Sequence, residues 1–591
     1  MRQRLLHLFL IAVSLLGLFG MSRQVQAQTS ASTVQFSPTA LFIWTDKYVY
    51  QPGESLTLRW TARNNGDTNL YAAVVYRQNN QTGAKTYYPI NQATPSDVLG
   101  KTPEEGFFTY PTADVTKGVV IGTGGWLMNQ PLTVPNELGM HTIVLQLRDS
   151  TGTRVVKTAY FKFGVVDGFE TLSGNIDADR TLVNTKAYSL SGLVVVRNST
   201  LTIQPGTFVI GQPGSQPPSV LMITQSGRLN ASGTRSRPIT MTSSLPFGQR
   251  KAGDWGGLIL LGRAPVNWPT GFGNIEGLAA SDDTRYGGTD TAHSCGTLRY
   301  LRVEFAGAEF QPNQEVNAIT FGGCGTGTVA DHLEARYGLD DAFEWFGGTA
   351  DAKYLVGVSS RDDYIDGQIG WTGRIQHALI VAGKDVPGNR GIEMDNNESN
   401  FTAAPLGKVQ MYNLTFVGAG DTISAGFDEG ADVAAVWLRR GAAGVYNNFL
   451  LYNWISNGFT IRDAATMDSV DRGDLTINGM VMFDNGKALT KANTVAGQVS
   501  GSASNLALPF MQGTRGQAQK VMVLDPLLRR PLYTSDPDFL PRSGSPVFRA
   551  NWIQPPDDGF FDQWATWSGA FGDVDWTEEW TVFHVEEDIR P

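Results

Sequence analysis

Apolar and polar residues follow two different rhythms along the chain. Between about 40 and 165 they alternate. Leu56, Leu58 and Trp60 point one way while Thr57 and Arg59 point the other, the period of a half-buried strand. Residues 141–147 and 155–163 repeat the pattern, and Asp149-Ser150-Thr151-Gly152 between them reads as a hairpin loop. Asn64-Asn65-Gly66-Asp67 reads as a turn. No helical period of useful length intervenes, so 40–165 is predicted to be a β-sandwich.

From about 170 the rhythm shortens. Leu201-Thr202-Ile203 runs into Pro205-Gly206-Thr207, and Leu221-Met222-Ile223 into Gly227, Leu229-Asn230-Ala231 and Gly233. A repeat of about 20–50 residues is the signature of a solenoid. It is clearest between 330 and 465. Phe343-Glu344-Trp345-Phe346 aligns with Ile365-Asp366-Gly367-Gln368, 22 residues on, and Asp340-Asp341 aligns with Asp362-Asp363 at the same offset. Ile392-Glu393-Met394-Asp395, Val436-Trp437-Leu438-Arg439 and Phe459-Thr460-Ile461-Arg462 continue the series. A second strand family, starting near His332, Tyr354, Ile375, Val409, Val445 and Thr476, alternates with it. Two families with one coil length predict a parallel β-helix over 170–550, right-handed like other crossovers between parallel strands. The expected fold is therefore all-β: a sandwich followed by a right-handed parallel β-helix. Phe343, Ile365, Ile392, Val436 and Phe459 fall in one inward column, and Trp345, Gly367, Met394, Leu438 and Ile461 in the next. Glu344, Asp366, Glu393, Trp437 and Thr460 form an outward column with neighbours about 4.8 Å apart.

Composition sharpens this picture. Glycine makes up 67 of 591 residues and only 17% of residues are charged, against about 25% in ordinary domains. Long apolar stacks with glycine at the coil corners account for both. An apolar content of 41% excludes disorder over most of the chain. Acidic residues outnumber basic ones, 56 to 46, which argues against nucleic acid as a partner. Residues 1–27 read as a signal peptide: Arg2 and Arg4, an apolar run over 5–19, then Val25-Gln26-Ala27 as a cleavage site. The run is shorter than the ~20 residues of a membrane span, and no second long run follows. A mature chain without a membrane span is expected, extracellular or on the outer cell surface, with the periplasm as the alternative. Cleavage removes Arg2, Arg4 and Arg23 and takes the formal charge from −10 to −13. Cys295 and Cys324 fall on neighbouring coils in an oxidising compartment, as a structural disulfide or as two buried thiols.

The stacked carboxylates Glu344, Asp366 and Glu393 are the sharpest chemical feature. Like charges about 5 Å apart raise at least one pKa unless a cation intervenes. Calcium, which takes oxygen ligands, would relieve the repulsion, with Asp363 and Asp395 completing its shell. The other reading is a hydrated face screened by salt, or an ion-pair ladder with Arg439 and Arg462. Trp437 and Tyr364 offer ring faces to a sugar, with Arg439 beside them; packing explains them equally well. Asp340-Asp341 and Asp362-Asp363 read as glycosidase carboxylates or as turns that bond their own amides. Arg374, Arg390 and Arg439 are placed as lyase bases by location only. No zinc spacing, nucleophile elbow or phosphate loop occurs in the sequence. Trp564, Trp567, Trp576 and Trp580, in 551–591, read as a layer capping the last coil, whose open edge would otherwise invite aggregation.

Four stretches carry a family resemblance. Leu201-Thr202-Ile203-Gln204-Pro205-Gly206-Thr207, Gly253-Asp254-Trp255-Gly256-Gly257, Asp340-Asp341-Ala342-Phe343-Glu344-Trp345-Phe346-Gly347-Gly348-Thr349 and Gly569-Ala570-Phe571-Gly572 with Asp575-Trp576-Thr577 are similar to motifs of a group of exported bacterial β-helix surface proteins, of Bacteroidetes type, with no established activity. The resemblance spans about 175–582 and implies a fold and a surface address, but no catalytic residues. Asp46-Lys47-Tyr48-Val49-Tyr50-Gln51-Pro52-Gly53-Glu54 resembles the first strand of immunoglobulin-like or macroglobulin-like domains, which space, present or bind. The expectation is a secreted or cell-surface, non-enzymatic binding and structural protein engaging polysaccharide or other surface components. The alternative is a calcium-dependent polysaccharide lyase or glycoside hydrolase working on the β-helix face.

Overall fold

The computed structural model describes residues 39–64, 71–88, 119–121, 124–149, 154–311, 314–383, 390–420, 433–486, 494–499, 505–516, 521–532, 536–549 and 552–583. The signal segment 1–27, residues 65–67 of the first turn and the hairpin loop 150–153 lie outside them. The N-terminal part folds as two sheets. Thr39–Trp44, Ser55–Asn64 and Gly124–Thr133 form an antiparallel sheet of three. The other has six strands, among them the hairpin Gly139–Arg148 with Val155–Val165, and Val49–Tyr50 added in parallel at its edge. Leu56, Leu58 and Trp60 point into the core between the sheets and are at most 1% exposed.

The remainder is a parallel sheet of 25 strands wound into a solenoid, from Phe169–Ile176 to Val521–Val523. The expected register is found. Glu344 pairs with Asp366, Asp366 with Glu393, Glu393 with Trp437, and Trp437 with Thr460. The inward column is glycine at Gly367 because Trp371 fills that place: a Cβ there would lie 2.6 Å from the Trp371 ring. That ring stacks on Trp345 at 4.5 Å.

Three strand ladders run along the solenoid, not two. Each strand of the second family bends in the middle. Arg299 pairs with Asp331 and Leu301 with Leu333, while Tyr300 and His332 drop out of the ladder. Tyr300, His332, Tyr354, His377, Asn413 and Asn448 repeat this bend on successive coils, all with φ between 44° and 62°. Side chains other than glycine pay for that conformation, so the row must be held by its surroundings. Tyr300, His332, Tyr354 and His377 stack ring on ring at 4.3, 4.3 and 4.9 Å.

The C-terminal segment lies along this row, not over the last coil where the sequence suggested it. Asn448 exchanges two hydrogen bonds with the backbone of Ile553, and Asn413 donates to the carbonyls of Ala565 and Trp567. Trp567 stacks on His377, and Trp576 and Trp580 meet Tyr354 and His332 edge-on. The residues in left-handed geometry form the rail to which residues 552–583 are strapped. The last coil is covered instead by residues 494–499 and 505–516. Asn505 bonds both Ile461 N and Phe459 O on the free strand edge, and Val499, Phe510 and Met511 close the core. An end that would expose an unpaired strand is thereby protected.

Sandwich and solenoid share apolar packing: Tyr48 meets Phe161, Phe208 and Phe247, with ring centroids 4.9–5.9 Å apart. Cys295 and Cys324 are joined as a disulfide, with Cα atoms 5.8 Å apart, across neighbouring coils. Among the described residues no helix is long and apolar enough to cross a membrane.

Candidate functional site

The outward column Glu344–Asp366–Glu393 does not face solvent. Glu344 and Glu393 are each 3% exposed and Asp366 is 9% exposed. Two insertions cover it. One lies between Gly257–Leu261 and Gly296–Glu304, and its hairpin strands Gly273–Asn274 and Arg285–Tyr286 carry Glu276 beside them. The other follows Glu304, and its strands Glu309–Gln311 and Gln314–Glu315 bring Glu315. Together they border an open cavity of about 260 Å³. Its described lining is nine carboxylates (Glu276, Glu315, Asp340, Asp341, Glu344, Asp362, Asp363, Asp366 and Glu393) and two arginines, Arg390 and Arg439. Glu344, Asp363, Asp366 and Glu393 are thus buried within the cavity and do not stand on an open outer face, while Asp340 and Asp362 are half-buried.

The two arginines sit at one end. Arg390 lies 3.2 Å from Asp363 and 2.5 Å from Glu393. Arg439 bonds Glu393 and lies 2.9 Å from Asp395. Asp395 also pairs with Arg440 at 2.7 Å, so it is neutralised and stands outside the cavity lining. Of the residues singled out in the sequence, the structure therefore gathers Asp340, Asp341, Glu344, Asp362, Asp363, Asp366, Glu393, Arg390 and Arg439, and sets apart Asp395 and also Arg374, which pairs with Asp351 and Asp558.

Hydrogen bonds orient the other end. Asn317 donates to Glu344, and Gln368 donates to its second oxygen at 2.8 Å. The Asp363 amide donates to Oδ1 of Asp341 at 2.8 Å, and the Asp341 amide donates to Asn317 at 3.2 Å. Oxygens of Asp341, Glu344 and Asp366 all lie within 4.8 Å of one another, as do those of Asp340, Asp341 and Asp362. Oδ1 of Asp366 and Oδ1 of Asp363 are buried without a hydrogen-bond partner. Such a cluster holds protons tightly. Burial, then the neighbouring carboxylates, push Asp341, Glu344, Asp363 and Asp366 far above the usual carboxylate range. Burial and Asp362 raise Asp340 to about 8. On the rim, loss of solvent around its carboxyl, with Glu315 and Glu398 nearby, raises Glu276 to about 7. Carboxylates forced together this way bind either protons or a metal cation.

The aromatic expectation is not met. Trp437 is 2% exposed, clamped between the guanidiniums of Arg390 and Arg462 at 5.0 Å each. Tyr364 is fully buried, edge-on to Trp454 inside the solenoid. Neither offers a ring face to a sugar. Glu276 and Glu315 were not foreseen, because nothing in their sequence neighbourhood announces where their loops dock.

The family model of the pectate-lyase-like beta helix domain matches residues 174–524, more than half of the chain. The protein belongs to this pectate-lyase-like family. Its cavity lies on one ladder of the shared β-helix, while the sandwich lies outside the matched region. Solved structures offer looser likenesses. The family 28 exopolygalacturonase of Yersinia enterocolitica is 10% identical with a TM-score of 0.19, over 74% of this chain and 91% of that one. A β-glucosidase from Listeria innocua, solved with isofagomine, is 15% identical with a TM-score of 0.13, over 22% of this chain and only 16% of that one. Neither value assigns an activity to this pectate-lyase-like protein. No curated protein matches it in sequence.

Proposed function

We propose that this protein is an exported, non-enzymatic binding and structural protein whose acidic cavity holds calcium and, through it, engages a glycan. One observation carries the cation: Asp341, Glu344 and Asp366 present oxygens within 4.8 Å of one another, and the buried Oδ1 of Asp366 lacks a hydrogen-bond partner. Oxygens so spaced suit an ion about 2.3–2.6 Å from each. The cavity's two guanidiniums are committed to Asp363, Glu393 and Asp395. The same commitment speaks against lyase chemistry, since an arginine base would have to leave its carboxylates to reach a sugar proton. Membership of a pectate-lyase-like family supports polysaccharide as the ligand class. The sandwich, immunoglobulin-like in its opening strand, serves as spacer, and residues 1–27 direct export.

Calorimetric titration with calcium tests the cation. Binding is expected in the wild type and weakened at least tenfold in Glu344→Gln; no heat in the wild type would end the reading. A panel of polysaccharides incubated with protein and calcium is expected to be retained without release of unsaturated or reducing ends.

A second reading rests on the proton-holding groups. Asp340 at about 8 and Glu276 at about 7 would keep a carboxylic acid protonated near neutrality. An acid and a base carboxylate make a glycoside hydrolase. Reducing ends released by the wild type and not by Asp340→Asn would establish this reading in place of the first.

A further inference from the structure

We infer that Asn317 and Gln368 are positioning residues of the cation site, both acting through Glu344; this rests on the calcium reading above. Asn317 stands at the root of the second insertion, two residues beyond Glu315, and is 1% exposed. Its amide oxygen is anchored, accepting from the Asp341 backbone amide at 3.2 Å, and its amide nitrogen donates to Oε2 of Glu344. Gln368, on the next coil, donates to Oε1 of the same carboxylate at 2.8 Å. Glu344 is thus gripped on both oxygens by neutral amides, one from the insertion and one from the solenoid.

Neutral donors orient a carboxylate without cancelling its charge. At the opposite end of the cavity Arg390 and Arg439 do cancel the charge of Asp363 and Glu393. At Glu344 the rotamer is fixed while the charge is left for an ion to neutralise, and each oxygen keeps a lone pair for it. The ordering of a long side chain, which otherwise opposes binding, is complete before the ion arrives. The cluster these amides serve also holds an oxygen that no hydrogen bond satisfies. Asp366, 9% exposed, leaves Oδ1 buried and without a partner on the cavity wall. A buried acceptor of this kind costs desolvation free energy unless something binds it.

Support of the local turn does not account for both ends of the Asn317 amide. The turn at Asp340-Asp341 is already tied to both roots of the second insertion: the Leu339 amide donates to the Ala306 carbonyl at 2.9 Å, and the Ala318 amide donates to the Asp341 carbonyl at 2.9 Å. The donation from Asn317 to Glu344 adds nothing to those ties, whereas orienting a ligand requires it. Groups that hold metal-bound carboxylates in this way change metal affinity by about 10–100-fold when removed. Seating of the second insertion thereby becomes a condition for tight binding of the ion.

Calorimetric titration with calcium alone, on the full mature chain, tests the assignment. Asn317→Ala and Gln368→Ala are each expected to weaken calcium binding at least tenfold, with circular dichroism and the Tm in EDTA verifying that each variant is folded. In a Glu344→Ala background the same substitutions are expected to weaken it by less than threefold, because the group they orient is gone. Binding within twofold of wild type in either folded variant would overturn the positioning role of that residue and leave the calcium reading standing. A tenfold loss that persists in the Glu344→Ala background would overturn it too, by showing that the amides support the fold rather than the ligand. No heat in the wild type would overturn both readings. Should Asn317→Ala not fold, Gln368→Ala, on a half-buried residue outside the insertion, carries the same test of the grip on Glu344.

Discussion

The Tyr48 hydroxyl donates to Oε1 of Glu304 across 3.2 Å, and this bond joins the sandwich to the β-helix out of reach of water. Glu304 is 0% exposed. Around it stand Arg336 at 3.2 Å, Arg250 at 3.6 Å and Arg302 at 4.0 Å, and Thr242 donates to it at 2.9 Å. Burial alone would raise its pKa, but Arg336, Arg302 and Arg250 outweigh burial and hold it at about 2. Removing the carboxylate leaves three buried guanidiniums without their anion. Glu304→Gln is expected to cost about 3–5 kcal/mol, and Tyr48→Phe about 1 kcal/mol, both read from urea unfolding. A cost below 1 kcal/mol for Glu304→Gln would show that the cluster does not hold the junction. Because the folded pKa is depressed, this stabilisation is present above about 4.5 and is lost as pH falls towards 2.

The acidic cavity has the opposite pH dependence. Asp340 and Glu276 titrate at about 8 and about 7 in the folded chain, above their ordinary values. Groups with raised pKa favour the folded state at low pH, and that contribution is lost as pH rises through the folded value. In EDTA the Tm is therefore expected to fall by several degrees between pH 5 and pH 8.5. Millimolar calcium is expected to restore it at pH 8.5 and to have less effect at pH 5, where protons compete for the same oxygens. Asp340→Asn should flatten the slope in EDTA. A Tm that does not change with pH in EDTA would show that the carboxylates ionise without penalty.

Much of this molecule was legible in its sequence, for identifiable reasons. The outward column from Glu344 to Thr460 was readable because a period of two fixes which face a residue takes and a regular coil offset fixes its neighbour. The bends at Tyr300, His332, Tyr354 and His377 were not readable: left-handed geometry ordinarily announces itself by glycine or asparagine, and here stacked rings hold it. The burial of Glu344 and Trp437 was hidden too. It depends on where the insertions and Arg462 come to rest, and no periodicity encodes that. The C-terminal tryptophans were expected to cap the last coil; Trp567, Trp576 and Trp580 lie on the row of bends instead, and Trp564 is exposed.

Trp437 separates a packing role from a ligand role. Its ring is held between Arg390 and Arg462, and Arg390 in turn neutralises Asp363 and Glu393. Trp437→Ala should cost about 3–5 kcal/mol as a buried aromatic truncation. Trp437→Phe, which keeps a ring between the guanidiniums, should recover at least half of that. Glycan retention per folded molecule is expected to stay within twofold of wild type in Trp437→Phe. A selective loss of glycan retention with unchanged stability would return the residue to the ligand-binding surface.

The strap at 552–583 can be tested by removing it. Trp580 is fully buried against Val356 and Val358, and Oε1 of Glu334 accepts from the Val582 amide at 2.8 Å. The strap also reaches the sandwich, through Glu579 to Lys162 at 3.1 Å. Burial outweighs Glu579 and lowers Lys162 to about 8, while burial raises Glu334 to about 8. A chain ending at residue 551 exposes the stacked rings from Tyr300 to His377, strands their buried partners, and frees the bends to relax. The expected outcome is a Tm at least 10 °C lower, together with binding of a hydrophobic dye. Trp580→Ala should reproduce part of the loss, about 3–5 kcal/mol, without unfolding the early coils, where the strap is held by Arg235 donating to the Asp575 and Glu578 carbonyls and not by the Trp580 ring. Hydrogen exchange separates the two regions: faster exchange confined to strands Val329–Arg336 and Ala352–Val358 is expected. Uniform acceleration along the solenoid would mean that the strap supports the whole helix rather than the row it covers.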